Sequence, residues 1–248
     1  MCDENGRLSP APALWGFGPT VGLTLVLILA LLSLQVVAAA GLFLLHYARL
    51  IPNRPGEGLM MAAAAVVSAP AIVFLSFGLA RLRKGATIRE YFNLEAVSAG
   101  RMLAWIGAGF ALMAGTDFFG YVLHRPVVPD VMIEAYRTAG WLPLLWLGVI
   151  LFAPVGEEVV FRGFMFKGVE ASRFGPAGAI LLSALAWSLL HLEYDAFDVA
   201  TIFMCGLLLG LARHRSRSLY VPVAMHVVWN LVATLELAWK VNAPSLTM

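Results

Sequence analysis

Residues Val21–Leu45 read VGLTLVLILALLSLQVVAAAGLFLL, a run of 25 residues without a charged side chain. A helix needs about 20 mostly apolar residues to cross the hydrocarbon core of a bilayer, so this run is long enough to span one. The preceding segment carries Asp3, Glu4 and Arg7 and lacks the positive charge that begins a signal peptide. Ala38–Ala40 could mimic a small-residue cleavage site, but the length of the run favours a retained transmembrane helix.

The composition extends this conclusion to the whole chain of 248 residues. Hydrophobic residues make up 60% and charged residues only 13%, against roughly 45–50% and about 25% in soluble proteins. These values exclude a soluble globule and leave enough apolar residues for about seven spans. The predicted spans after the first are Leu59–Ala80, Met102–Leu123, Trp141–Phe166, Pro176–His191, Val199–Ala212 and Leu219–Trp239.

We therefore predict an all-α polytopic membrane protein of seven to eight transmembrane helices. It forms a single membrane domain over residues 1–248, which begins with a polar segment, residues 1–20. Pro154 lies inside the long fourth span and predicts a kink, a re-entrant piece or an additional crossing there.

The charged residues predict an orientation and exclude one class of partner. The net charge is only +2 and no basic tract is present, so nucleic acid is not an expected partner. Of the 17 Lys and Arg residues, eleven lie in cytoplasmic loops if the N-terminus is inside, and five lie on the opposite side. We expect a cytoplasmic N-terminus in a bacterial inner (plasma) membrane.

The basic loop between the second and third spans has its own helical pattern. Within residues 81–101, apolar side chains have the spacing of a short amphipathic helix on the inner surface: Ile88, Tyr91, Phe92 and Leu94. A solvated loop with basic anchors is an equal alternative.

Clusters of polar side chains interrupt the apolar spans, and each is costly in hydrocarbon unless it has a partner or a function. The first lies in Ala153–Gly163, APVGEEVVFRG. On a helix Glu158 and Arg162 are four residues apart and can pair, whereas Glu157 points about 100 degrees away. One carboxylate can thus neutralise the arginine while the other is free to accept a proton.

Two further clusters contain histidine. WSLLH runs from Trp187 to His191, and HVVWN runs from His226 to Asn230. Because His226 and Asn230 are four residues apart, they share a helical face and can both donate to one oxygen, as an acyl-transfer site requires for its oxyanion. A structural ion pair and interhelical hydrogen bonds are the alternative interpretations of these clusters. Asp117 is a further acid inside a predicted span, with either a functional role or a structural hydrogen bond.

The combination resembles the CPBP intramembrane proteases, also called the Abi family, which include type II CAAX prenyl endopeptidases. The family motif E-E-x-x-x-R is matched by Glu157, Glu158 and Arg162. The motif H-x-x-x-N is matched by His226 and Asn230. The resemblance implies that Glu157 is the general base of a glutamate-dependent proteolysis and that His226 and Asn230 donate to the oxyanion. It implies a supporting role for Glu158 and Arg162.

A third family motif, F-x-x-x-H, is matched at His191 with Trp187 where phenylalanine is usual. The resemblance implies that His191 helps to position the attacking water. Trp187 keeps an aromatic wall and can reshape the substrate groove. The resemblance covers residues 141–238, the expected catalytic core. Counting along the predicted helices places His191 deeper in the membrane than the other catalytic positions.

The resemblance implies an intramembrane endopeptidase with an intramembrane catalytic cavity, no cofactor, and a membrane-associated or prenylated peptide or protein as substrate. As an alternative, His191, His226 and a glutamate could bind zinc, although no H-E-x-x-H motif is present. Cys2 and Cys205 lack the spacing of a disulfide framework or metal site. A non-enzymatic transporter, immunity-type or binding protein is a further alternative, in which the same acids form a proton path. The sequence predicts neither the substrate's identity nor an oligomeric state.

Overall fold

A computed structural model describes residues 14–51, 53–83 and 85–243 of the chain, and these fold into helices. In chain order the helices are α1 Phe17–Tyr47, α2 Glu57–Arg81, α3 Ile88–Phe92, α4 Ala99–Val122, α5 Asp130–Thr138, α6 Leu142–Glu170, α7 Gly175–Ser188, α8 Ala196–Ser216 and α9 Tyr220–Asn242. Some residues used in the sequence predictions lie outside the described ranges: Cys2, Asp3, Glu4, Arg7 and Lys84.

Six helices in the described ranges are long and apolar enough to cross a membrane: α1, α2, α4, α6, α8 and α9. The remaining predicted span, Pro176–His191, forms the apolar helix α7, which ends at Ser188 and has only 14 residues. That length is below the roughly 20 residues of a complete crossing. The all-α polytopic class is confirmed, and the chain is an integral membrane protein. The count of seven to eight crossings is not confirmed.

The basic loop contains the short helix that the spacing predicts, but its apolar face packs against the protein. Thr87 and Glu90 form a capping box at the start of α3, with the Thr87 N–H donating to the Glu90 carboxylate at 2.8 Å. Tyr91 and Phe92 are fully buried, and the Tyr91 ring stacks on Phe164 with centroids 5.8 Å apart. The apolar face of this helix is therefore part of the protein core.

Small residues allow close helix contacts around α6, which packs against α1, α2, α7, α8 and α9. Gly156 of α6 lies against Ala69 of α2. Gly206 of α8 lies against α7 so closely that a Cβ atom there would be 2.9 Å from Ala184 Cβ. Because lipid tails are as apolar as the helices, such close packing is a main source of helix association in membranes.

Helix α6 changes its hydrogen-bond pattern around Pro154, where the sequence predicts a kink. Two π-helical segments flank the proline's turn: Leu147–Phe152 and Val159–Met165. The Ala153 N–H bonds to the Gly148 carbonyl five residues back, and Pro154 has no N–H to offer the next carbonyl, that of Val149. The helix continues through the proline and leaves the Val149 carbonyl free for another donor.

Candidate active site

Glu158 and Arg162 form the ion pair that the i, i+4 spacing predicts. Arg162 Nη1 donates to Glu158 Oε1 at 2.8 Å, and neither side chain is exposed. Arg162 Nη2 donates to the Gly206 carbonyl at 3.1 Å, where α8 passes close to α7. The pair therefore joins α6 to α8 from inside the helix bundle.

Glu157 points away from this pair and lines an internal cavity. Its side chain is 22% exposed, whereas that of Glu158 is fully buried. Glu157 Oε2 accepts a hydrogen bond from Trp187 Nε1–H at 2.6 Å. The two adjacent carboxylates thus have different surroundings, and of the two it is Glu157 that can contact a molecule in the cavity.

His226 lies between the two carboxylates. Its Nδ1 is 3.0 Å from Glu158 Oε1, and its Nε2 is 3.9 Å from Glu157 Oε2, which is too long for a direct hydrogen bond. A carboxylate paired with arginine only accepts hydrogen bonds, so Nδ1 is the donor to Glu158. Nε2 is then the ring nitrogen nearest Glu157.

Trp187 lies at the centre of the cluster. The imidazoles of His191 and His226 meet its ring edge-on, with centroids 5.2 and 5.1 Å away. The guanidinium carbon of Arg162 lies 4.6 Å from the centre of the indole. His191 follows the end of α7, and its Nδ1 is 3.0 Å from the Trp187 carbonyl oxygen. His191 lies three residues after the last residue of α7, and its imidazole is nevertheless part of the cluster.

Asn230 lies one turn after His226 on α9 and hydrogen-bonds to α6. Its Nδ2 donates to the Val149 carbonyl at 2.8 Å. That carbonyl is free because Pro154 has no N–H. One of the two amide hydrogens of Asn230 is committed to this contact, and the other remains for a second acceptor.

The cavity beside these residues has a volume of about 770 Å³. Four lining residues are those predicted to be catalytic: Glu157, His191, His226 and Asn230. Further carboxylates line it: Asp117, Glu193, Asp198 and Glu236. Apolar side chains from several helices complete much of its wall, among them Leu31, Met61 and Met113. Sequence reasoning missed Glu236, although an acid inside the last predicted span was the signal that could have identified it.

An ion pair joins two loops at the rim of the cavity. Arg125, which follows α4, pairs with Asp195, which precedes α8, and its guanidinium carbon lies 4.6 Å from the Phe197 ring centre. The Asp198 backbone N–H and the Arg125 guanidinium hold the pKa of the Asp195 carboxyl below its usual value. The two loops contribute residues to the cavity wall: Val127, Val128, Glu193 and Tyr194.

The arrangement around the histidines is that of a hydrogen-bonded cluster. Within residues 14–51, 53–83 and 85–243, no group of three or more His, Cys, Asp or Glu side chains is placed to hold a metal ion. His226 contacts the carboxylates of Glu157 and Glu158, and His191 contacts a backbone carbonyl. Among the described residues, this geometry does not provide the set of ligands that the zinc alternative requires.

Comparison with known proteins finds a family resemblance in the segment that contains this cluster. Residues 139–232 match the sequence model of the type II CAAX prenyl endopeptidase Rce1-like family. The chain is also 32% identical over 128 residues to an Escherichia coli protein described as an uncharacterized 24.3 kDa protein. That alignment covers 49% of this chain and 58% of the E. coli protein, so the chain spans less than two thirds of this relative. No solved structure matches the chain. Residues 139–232, which contain Glu157, His191, His226 and Asn230, are therefore similar to the Rce1-like family of type II CAAX prenyl endopeptidases.

Proposed function

We propose that this protein is a CAAX-type intramembrane endopeptidase in which Glu157 activates water for attack on a peptide bond. The observation that carries the proposal is the contrast between adjacent glutamates. Glu158 is buried in an ion pair, whereas Glu157 faces a cavity among membrane-spanning helices. Carboxylates in such different surroundings can divide structural and acid–base roles between them. The family match supports the reaction class.

In the proposed reaction Glu157 takes a proton from water while the water oxygen bonds to the scissile carbonyl carbon, whose oxygen becomes an oxyanion. Asn230 donates its amide hydrogen that is not bound to Val149 to this oxyanion. His226 contributes through Nε2 when that nitrogen carries a proton, and His191 helps to hold the water. Collapse of the tetrahedral intermediate breaks the C–N bond, and Glu157 returns the proton to the leaving amine.

We propose a membrane-associated peptide as the substrate, with aliphatic side chains or a prenyl group bound in the cavity. The cavity volume of about 770 Å³ lies within the roughly 300–1,000 Å³ of typical ligand sites. Its apolar wall suits hydrocarbon, and its polar residues are gathered near the proposed base. The family name supports a prenylated substrate.

The test measures cleavage of an internally quenched peptide that ends in a farnesylated cysteine, two aliphatic residues and one further residue. We expect Glu157→Gln to lower the rate by about 10²–10⁴, because an amide cannot accept the proton from water. Glu95→Gln is the matched control, since Glu95 is 54% exposed in a surface pair with Arg89, and it should keep the wild-type rate.

Three outcomes would count against parts of the proposal. A wild-type rate in Glu157→Gln would eliminate the base. Equal cleavage of the same peptide without its farnesyl group would remove the prenyl group from the recognised features. Loss of activity with a chelator, restored by zinc, would favour the metal-dependent alternative.

A further inference from the structure

We propose that Trp187 is a positioning residue for the general base. Its indole N–H holds Oε2 of Glu157 and leaves Oε1 directed at the reacting water. The inference rests on the proposed function, because only hydrolysis gives the free oxygen of Glu157 this task. Trp187 stands where the resembled family usually has phenylalanine, so the N–H adds a hydrogen bond that a phenylalanine ring cannot make.

The hydrogen bond is short and protected from solvent. Trp187 Nε1 lies 2.6 Å from Glu157 Oε2, below the usual N–H···O distance of about 2.9–3.0 Å. Trp187 is only 4% exposed, so water has little access to compete for the N–H. Within the described part of the chain, Glu157 Oε1 has no hydrogen-bond partner.

The indole ring is held from several sides. The edges of His191 and His226 meet it, and the Arg162 guanidinium lies over its face. These contacts oppose rotation of the ring, so the N–H direction is set before substrate binds. A donor fixed in this way orients the carboxylate without reorganisation during the reaction.

Loss of the N–H alone should therefore disturb the base without removing the aromatic wall. A glutamate side chain has several rotatable bonds, and a misplacement of about 1 Å at a reacting group can cost about 10²-fold in rate. Phenylalanine at position 187 would keep an aromatic ring between Arg162 and the two imidazoles. It would leave Glu157 Oε2 without its donor.

The kinetic test compares Trp187→Phe with wild type on the farnesylated quenched peptide. We expect kcat to fall by about 10- to 100-fold while KM changes by less than about 2-fold, because phenylalanine keeps an aromatic ring in the cavity wall and only the positioning of the base is lost. Trp146→Phe is the matched control. Trp146 is on α6 and lies outside the cavity, and its buried Nε1 has no partner among the described residues. An unchanged kcat in Trp187→Phe, or a rise in KM alone, would overturn the proposal.

A double variant separates positioning from a merely structural role. If Trp187 acts only through Glu157, adding Trp187→Phe to Glu157→Gln should lower the residual rate no further. A further loss equal to that of Trp187→Phe alone would show an independent structural effect and contradict the proposal. Failure of the proposed function would give a different result, because the single variant Glu157→Gln would then retain the wild-type rate.

The hydrogen bond can also be tested without turnover. In ¹⁵N-labelled protein in detergent micelles, the seven tryptophans contribute the indole ¹H–¹⁵N resonances, and Trp187→Phe identifies the one that disappears. We expect that resonance to move upfield in Glu157→Gln, because a neutral amide is a weaker acceptor than a carboxylate. The Trp146 resonance, identified in the same way, should stay in place. An unmoved Trp187 resonance would refute the hydrogen bond, whatever the protein cleaves.

Discussion

At the scale of single residues, the site depends on Glu158, which has two partners for one oxygen. Its Oε1 accepts from Arg162 at 2.8 Å and from His226 at 3.0 Å, and the side chain is fully buried. A buried charge is tolerated when it is paired and hydrogen-bonded. Glu158 therefore neutralises Arg162 and also fixes the imidazole ring that lies beside Glu157.

Glu158→Gln should lower both the stability of the protein and its rate of peptide cleavage, because Arg162 would remain buried without a counter-charge. Removing one partner of a buried ion pair costs about 3–5 kcal/mol. Thermal unfolding in detergent micelles measures the loss. The neighbouring Glu157→Gln is the matched control and should melt close to wild type, since Arg162 keeps its pair with Glu158 and the Glu157 side chain is partly exposed. Equal melting temperatures for the two variants would contradict this division of roles.

Spacing along one helix predicted the Glu158–Arg162 pair because both partners lie on α6. The contacts of His226 with Glu158 and of Trp187 with Glu157 join positions 68 and 30 residues apart. They depend on how α6, α7 and α9 pack, which the periodicity of any one helix does not report. Recognition of the motifs selected residues that line one cavity, but their hydrogen-bond partners depend on tertiary structure.

At the scale of the element, α6 carries Glu157, the proposed base, and also supplies the carbonyl that accepts a hydrogen bond from Asn230. The Val149 carbonyl is available because the π-helical turn directs it toward Pro154, which cannot donate. The sequence predicted a disturbance at this proline. The π-helical pattern of this disturbance could not be predicted, because hydrophobic spacing does not distinguish an α-helix, with its i to i−4 hydrogen bonds, from a π-helix, with its i to i−5 hydrogen bonds.

Pro154→Ala should lower activity without lowering stability. The new backbone N–H can donate to the Val149 carbonyl and compete with Asn230, while loss of a proline from a helix interior favours the helix. We expect a rate between those of wild type and Asn230→Ala, for which removal of one oxyanion donor predicts a loss of about 10²–10³. Quenched-peptide kinetics and thermal unfolding measure the two effects.

Pro70→Ala is the matched control for that variant, since Pro70 is an intrahelical proline of α2 that does not line the cavity. It should leave the rate unchanged. A wild-type rate in Pro154→Ala would mean that the proline does not govern the position of Asn230.

At the scale of the whole molecule, we propose that the N-terminus and the basic loop between α2 and α4 are cytoplasmic. Arg89→Cys, in a chain whose Cys2 and Cys205 are replaced by serine, should then resist an impermeant thiol reagent applied to intact bacteria. The native Arg89 side chain is 69% exposed, so burial in the protein would not explain protection. Arg49→Cys, at an exposed position in the loop after α1, is the control that should react. The reverse labelling pattern would overturn the orientation.

The Arg125–Asp195 pair joins the loop after α4 to the turn before α8. Removing it tests whether this pair holds the two loops at the cavity rim together. Asp195 also caps α8, since its Oδ1 accepts the N–H groups of Phe197 and Asp198 at 2.9 and 3.1 Å. Asparagine caps helices as well as aspartate does but carries no charge. Asp195→Asn therefore removes the ion pair alone, and Asp195→Ala removes the cap as well.

We expect Asp195→Asn to speed hydrogen exchange in both rim loops with little change in melting temperature, because an exposed ion pair stabilises a protein only slightly. Asp195→Ala should also lower the melting temperature. The Asp198 N–H and Arg125 lower the folded pKa of Asp195, so the contributions of the cap and of the pair are present above the unfolded pKa and are lost as pH falls through the folded value. Exchange rates corrected for intrinsic pH dependence should thus differ between wild type and Asp195→Asn at neutral pH and converge in acid. Equal rates at neutral pH would show that the pair does not hold the two loops together.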